Sequence, residues 1–285
     1  MMEHSEQTHY FVPDPSRWPI IGSLALFCMG LGAALAVNSV AAGKFGLLLG
    51  FGILFWMLFG WFGDVIRESL AGRYHGREDH SFRWGMGWFI FSEVMFFAAF
   101  FGALYYVRVI SVPELGNEVH KLLYPDFTAS WPLQTGPGIT AHYQAMGAWG
   151  LPAINTLILL SSGATLTWAH WGLLAGKRRQ LATGLGITVV LGVSFLSLQM
   201  YEYAHAMHEL GLSLAAGAYG MTFFMLTGFH GLHVLLGAIM LSVMWLRVQR
   251  GHFSAEHHFA FEAAAWYWHF VDVVWLILFV FVYWL

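Results

Sequence analysis

Residues 261–275 read Phe261-Glu-Ala-Ala-Ala-Trp-Tyr-Trp-His-Phe-Val-Asp-Val-Val-Trp275 and open an apolar run that continues to Leu285. Lipid solvates ionised groups poorly, yet Glu262, His269 and Asp272 stand in this run. At about 100° per residue the three fall within a helical stripe roughly 80° wide, with Val271 on the opposite side. The pattern predicts an apolar face for lipid and a titratable face for protein. Placing an ionisable group at that depth costs at least about 2–3 kcal/mol, so each is a functional candidate by default.

Other titratable groups reach the same depth. Glu93 lies nine residues into a candidate span, roughly 14 Å from its start at about 1.5 Å per residue. His230 and His233 sit at i, i+3 near the middle of another. With His269 and Asp272 they make a central slab, and hydrogen bonds between helices are the least costly way to keep them there. The expected pairing is Glu93 with His233 or His269. Two readings of these groups stay open: interhelical hydrogen bonds that merely hold the bundle, or a proton carrier and reactive carboxyl at Glu93. A second cluster gathers where spans end: Trp61, Asp64, Arg67 and Glu68, His75, then Arg247, Arg250, His252 and Glu262. Basic residues beside Trp at headgroup depth suit lipid phosphates, and ordinary snorkelling is the plainer alternative.

Redox chemistry finds little support. Two haems stacked between helices need ligands on one helix about 13 or 14 residues apart, or roughly 20 Å, and no two of the 15 histidines have that separation. The single Cys28 excludes an intrachain disulfide and any cluster or copper site needing two thiolates. Glu202-Tyr-Ala-His205 matches half of a di-iron motif but occurs once, and is read as a helix end at the membrane surface. No metal ligand set is expected.

The elements that must position these groups are membrane helices. The chain of 285 residues is 58% hydrophobic and 10% charged, against about 25% charged in a soluble domain. A net charge of −3 gives no reason to expect nucleic acid. Seven stretches reach the about 20 apolar residues of a span: Trp18–Asn38, Phe45–Ile66, Trp84–Val107, Ala148–Gly172, Leu181–Tyr203, Ala216–Leu246 and Phe259–Leu285. The fold class is therefore all-α, with seven transmembrane helices. Arg17, Arg67, Arg73, Arg77, Arg83, Lys177, Arg178, Arg179, Arg247 and Arg250 fall on one side, and Lys44, Arg108 and Lys121 on the other. That asymmetry puts the N-terminus inside and the C-terminus outside. Residues 1–17 are read as a polar tail and not a secretory signal. Residues 18–72 form a two-helix bundle, 73–83 an inner loop, and 84–285 a five-helix bundle. Residues 110–144, with Pro113, Pro125, Pro132 and Pro137, are expected to be an outer loop without regular structure.

Five motifs, Asp64-Val-Ile-Arg-Glu-Ser69, Ser92-Glu-Val-Met-Phe-Phe97, Thr167-Trp-Ala-His170, Thr227-Gly-Phe-His-Gly-Leu-His233 and the 261–275 run, resemble in sequence and in order those of subunit III of the aa3-type cytochrome c oxidases, and the resemblance covers the chain from about Trp18 to Leu285. The resemblance implies a V of two plus five helices with phospholipids in its cleft. It implies a subunit without haem or copper of its own, packed on the catalytic subunit I and supporting proton uptake and resistance to inactivation. Haem and copper would belong to partner subunits I and II, and cytochrome c would be met through the complex. The carboxyl matching Glu93 is the family's carbodiimide-reactive group. Lipid-headgroup roles would fall on Trp61, Arg67, His75, Arg247, Arg250 and His252. Phe62 and Gly63 depart from the Trp-Arg of the animal pattern. The tail and the long outer loop suggest a bacterial inner membrane in preference to a mitochondrial one. The alternatives are a quinol oxidase subunit III and an autonomous proton transporter, the latter disfavoured by the absence of internal repeats.

Overall fold

The computed structural model describes residues 14–74, 76–135 and 143–285, with Lys121 described through its backbone alone. His75 and Pro137 lie outside the described residues. The described chain is helical: α1 Trp18–Val37, α2 Ala42–Leu70, α3 Gly76–Tyr105, short α4 Val112–Leu115 and α5 Glu118–Lys121, α6 Leu151–Leu174, α7 Arg178–His208, α8 Gly217–Gln249 and α9 Phe259–Leu278. Among the described residues seven helical segments are long and apolar enough to cross a membrane. Chain contacts divide the molecule into two units, residues 1–82 and 83–285.

The first unit is the hairpin of α1 and α2. Without a hydrophobic drive between helices in lipid, association rests on close packing by small residues. A Cβ at Gly43 would lie 2.3 Å from the Ala36 nitrogen, and one at Gly32 would lie 2.5 Å from the Leu47 nitrogen. The two backbones therefore touch. At the open end Trp18 closes the hairpin. Its Nε1–H donates to Asp64 Oδ2 at 2.6 Å, and its ring fills the place that a side chain at Gly60 would need. Asp64 also accepts from Arg67, one turn on.

The second unit holds α3 from Arg83 onward, and α6 to α9. Its centre is Trp268 on α9, fully buried. The indole lies between Gly192 of α7 and Gly237 of α8, where added Cβ atoms would come within 2.6 and 2.8 Å of the ring. Its Nε1–H donates to Ser162 of α6 at 2.9 Å. One side chain thus ties four helices together. Trp275, two turns on, donates to Thr156 Oγ1 at 2.9 Å.

Three expectations change. The inner loop is shorter than residues 73–83, because α3 begins at Gly76, with Glu78 and Asp79 in its first turn complementing the helix dipole. The region 110–144 is partly ordered: a π-helical turn at Tyr106–Ser111 runs into α4, and Val112, Phe127 and Leu133 form a small buried cluster. Tyr143 anchors the end of that loop, donating to the Leu133 carbonyl and stacking on Tyr219 at 5.7 Å. Burial, then the neighbouring Tyr219, pushes the Tyr143 hydroxyl up to about 12. The assignment of faces on α9 changes in part: Asp272 is buried and Glu262 mostly buried, as expected of groups that face protein, but Val271 and His269 depart from that expectation. Val271 is fully buried, while Trp266, Val273, Leu276 and Ile277 are open. His269 lies on that open side with its side chain 44% exposed. Large apolar residues gain as much from packing in the protein interior as from lipid, so hydrophobicity alone does not choose the face.

Candidate functional site

α3 brings Glu93, and α8 brings His233, to one point. Glu93 Oε2 lies 2.8 Å from His233 Nε2. His233 Nδ1 lies 2.6 Å from the Phe229 carbonyl, an acceptor only. Nδ1 must therefore carry a hydrogen. A neutral imidazole then has no second hydrogen for Nε2, so the contact with Glu93 needs one more proton, either on the ring or on the carboxyl. The pair accordingly holds a single shared proton, as an ion pair or as a neutral acid with a neutral imidazole. Phe96, Phe97 and Tyr267 surround the ring, with centroids 5.8, 4.9 and 6.3 Å away. The Glu93 side chain remains 22% exposed. Of the two partners expected for Glu93, His233 is the one in contact.

His230, one turn earlier on α8, is fully buried and donates from Nε2 to the Val271 carbonyl at 3.2 Å. Its ring packs between Phe195 and Trp275. On α9, His269 Nδ1 lies 3.5 Å from Asp272 Oδ2, and its Nε2 lies 3.5 Å from Thr167 Oγ1 of α6. A Cβ at Gly163 would stand 2.4 Å from Asp272 Oδ2, so that glycine makes the space for the carboxylate. The expected buried network of His230, His233, His269 and Asp272 is thus three separate pairings among the described residues. Within it His269 is half-exposed, because the face that carries it is the open face of α9.

A second ionic group lies at the start of α9. Arg83 Nη1 is 2.5 Å from Glu262 Oε2, and Nε2 atoms of His258 and His170 are 3.5 and 3.8 Å from Oε1. The donor atoms of His170, His258 and Glu262 all lie within 4.8 Å, a spacing suited to a metal ion. Arg83 already places a positive charge on that carboxylate.

The residues expected to meet lipid headgroups divide between the units. In the first, Trp61 and Arg67 are exposed, with Arg67 paired to Asp64. In the second, Arg250 is exposed, but Arg247 is buried and its guanidinium stacks 4.5 Å from the Phe253 ring centre. Burial, reinforced by Arg247 and Arg250, lowers the His252 pKa. His75 lies outside the described residues.

The reading of Glu202 as a surface residue is overturned. It is fully buried near the end of α7, close to Gln199 and facing Tyr283, both also buried. The spacing of Gln199 and Glu202 at i, i+3 was the available signal. The apolar run ends at Tyr203, but the helix continues to His208 and carries Glu202 inside the bundle.

The chain is similar to known proteins over nearly its whole length. A family sequence model described as cytochrome c oxidase subunit III matches residues 8–285. The chain is 43% identical over 289 residues to a cytochrome c oxidase subunit 3 of Marchantia polymorpha, covering 99% of this chain and 98% of that one. The corresponding protein of Latimeria chalumnae is 43% identical over 286 residues, covering 99% of both chains. That of Chondrus crispus is 41% identical over 282 residues, covering 98% of this chain and 95% of the relative.

Proposed function

Because the chain belongs to the cytochrome c oxidase subunit III family, and so is an integral membrane subunit of a respiratory oxidoreductase complex, we propose that it acts there as a non-redox accessory subunit. In this reading haem and copper reside in subunits I and II, and cytochrome c reaches the complex without touching a redox centre of this chain. The chain supports proton delivery to subunit I, limits inactivation during turnover, and holds phospholipid headgroups at Trp61 and Arg67 in one unit and at Arg247, Arg250 and His252 in the other. The N-terminus lies on the inner side of a bacterial inner membrane, as the distribution of basic residues and the long outer loop suggest.

The observation that carries the proton role is the Glu93–His233 contact at 2.8 Å. It sits partway along α3 and α8, and its hydrogen-bond arithmetic requires a shared proton. A group that holds one proton between a buried imidazole and a partly exposed carboxyl suits relay or buffering better than packing.

The test is Glu93→Gln in the intact oxidase. Gln preserves shape but cannot take up or release the proton. The expected result is slower proton uptake and a shorter working lifetime during turnover, with haem and copper content unchanged. Unaltered uptake and lifetime in a correctly assembled variant rejects the proton role. Purification of the chain without any haem- and copper-bearing partner, together with proton conduction by the chain alone in liposomes, rejects the accessory role.

A further inference from the structure

A groove of about 540 Å³ runs along the outside of the α7–α8 pair, lined by Ala182, Thr183, Gly186, Ile187, Val190, Leu191, Trp245 and Gln249. Trp245 forms one wall, its Nε1–H donating to the Ala182 carbonyl at 3.0 Å. From Ala182 to Leu191 the groove follows nine residues of helix, or roughly 14 Å at about 1.5 Å each. That is about half of a hydrocarbon core of about 30 Å, the depth of a single leaflet.

Polarity changes in one direction along it. Beyond its mouth stand the exposed Lys177, Arg178 and Arg179. Arg178 Nη2 donates to the carbonyl of Gln249, a lining residue, at 2.6 Å, which places the cations at this end. Thr183 and Gln249 come next, and then Gly186, Ile187, Val190 and Leu191. No Asp or Glu occurs between Asp126 and Glu202, or between Glu209 and Glu256, so nothing on these segments offsets the positive charge. Cation, polar neck and apolar channel one leaflet deep complement, in order, the phosphate, glycerol esters and acyl chain of one anionic phospholipid. A helix of a partner subunit would need a surface about twice as long.

We propose that this groove is a binding site for one anionic phospholipid, with an acyl chain against Gly186 and Trp245 and the phosphate at Lys177 and Arg179. The site is independent of the headgroup residues proposed above, since it uses none of Trp61, Arg67, Arg247, Arg250 or His252.

Native mass spectrometry of the intact oxidase, delipidated in detergent and titrated with dioleoyl phosphatidylglycerol or dioleoyl phosphatidylcholine, tests it. Two variants block opposite ends. Lys177→Gln with Arg179→Gln removes exposed charges and leaves the fold alone. Gly186→Leu fills the channel, since even a Cβ there would stand 3.1 Å from Trp245 Nε1. The expected result is one tightly held phosphatidylglycerol fewer in Gly186→Leu. In the charge variant its affinity falls about thirtyfold, the effect of two cations at a membrane surface. Phosphatidylcholine should bind the wild-type site weakly. Equal affinity for the two lipids, or no change in the charge variant, overturns the proposal, as does a crosslink from the groove to a partner subunit's helix.

Discussion

Substituting Gly192 by Ala tests the packing at the centre of the second unit. In a helix whose glycine faces open space, Ala is the better residue by about 1 kcal/mol. Any net loss at position 192 must therefore come from the space around it. The new Cβ would lie 2.6 Å from Trp268 Cη2, where carbon atoms prefer about 3.5–4.0 Å. The indole would have to retreat by roughly 1 Å. Gly237 blocks that retreat on the far side, and the hydrogen bond to Ser162 holds the ring in place. Overpacking of this kind costs about 1–3 kcal/mol, and a ring clamped on both sides belongs at the upper end. The expected loss is about 2–3 kcal/mol, or roughly thirty- to hundredfold in the folding equilibrium. Trp268→Phe removes the benzo ring that makes the clash, so the double variant should lose less than the sum of the singles, with a coupling of about 1–2 kcal/mol. Gly231→Ala, on α8 and with no heavy atom within 4 Å of its added Cβ, is the control and should be neutral or slightly stabilising. Detergent-induced unfolding of the purified oxidase, followed by limited proteolysis of this chain, measures all four. A Gly192→Ala chain as stable as wild type, or strictly additive losses with Trp268→Phe, would show that the indole does not hold these helices together.

Four further outcomes follow from the same geometry. Gly43→Leu should separate α1 from α2, since even a Cβ meets the Ala36 nitrogen at 2.3 Å; crosslinking between cysteines placed across the hairpin should drop sharply while haem content stays constant. Arg83→Gln should cost about 2 kcal/mol by leaving the mostly buried Glu262 without its cation, and adding Glu262→Gln should recover at least half of that in the same proteolysis assay. Gly163→Ala should push Asp272 off its seat, 2.4 Å from the new Cβ, and alter the environment of His269 in nitrogen NMR of histidine-labelled protein. In such spectra His252 should titrate below the ordinary value of about 6.5, because burial and then Arg247 and Arg250 oppose its protonation. The unfolded chain takes up that proton more readily, so the contribution of His252 to stability is complete above about pH 6.5 and declines as pH falls below it. Arg250→Gln should move the midpoint back up.

The seven spans were legible because a bilayer demands about 20 apolar residues per crossing, and nothing else in the chain supplies them. Helix ends were less so. Hydropathy registers only the part of a helix that lies in lipid, whereas α3 runs back to Gly76 and α7 on to His208 through charged and polar residues that propagate a helix equally well. Depth was also legible: counting residues put Glu93 and His233 in one slab, and they are in contact.

Direction around the helix axis was harder to read, and α9 shows why. In water an apolar residue such as Val271 would be driven inward and His269 outward, so the two faces would announce themselves. In lipid that drive is absent. The membrane rule that polar groups turn inward takes its place, and on α9 it points Val271 to lipid. The observed helix instead turns inward the side that packs best: Trp268 against two glycines, Trp275 against Phe195, and Val271 with its carbonyl serving His230. Glu202 follows from the same logic. Its burial depends on Tyr283, a residue far along the chain on a π-helical turn, and no local pattern around 202 encodes that meeting. In a membrane bundle, then, composition reports which segments are inside the bilayer, while the glycines that let one particular indole approach decide which residues are inside the protein.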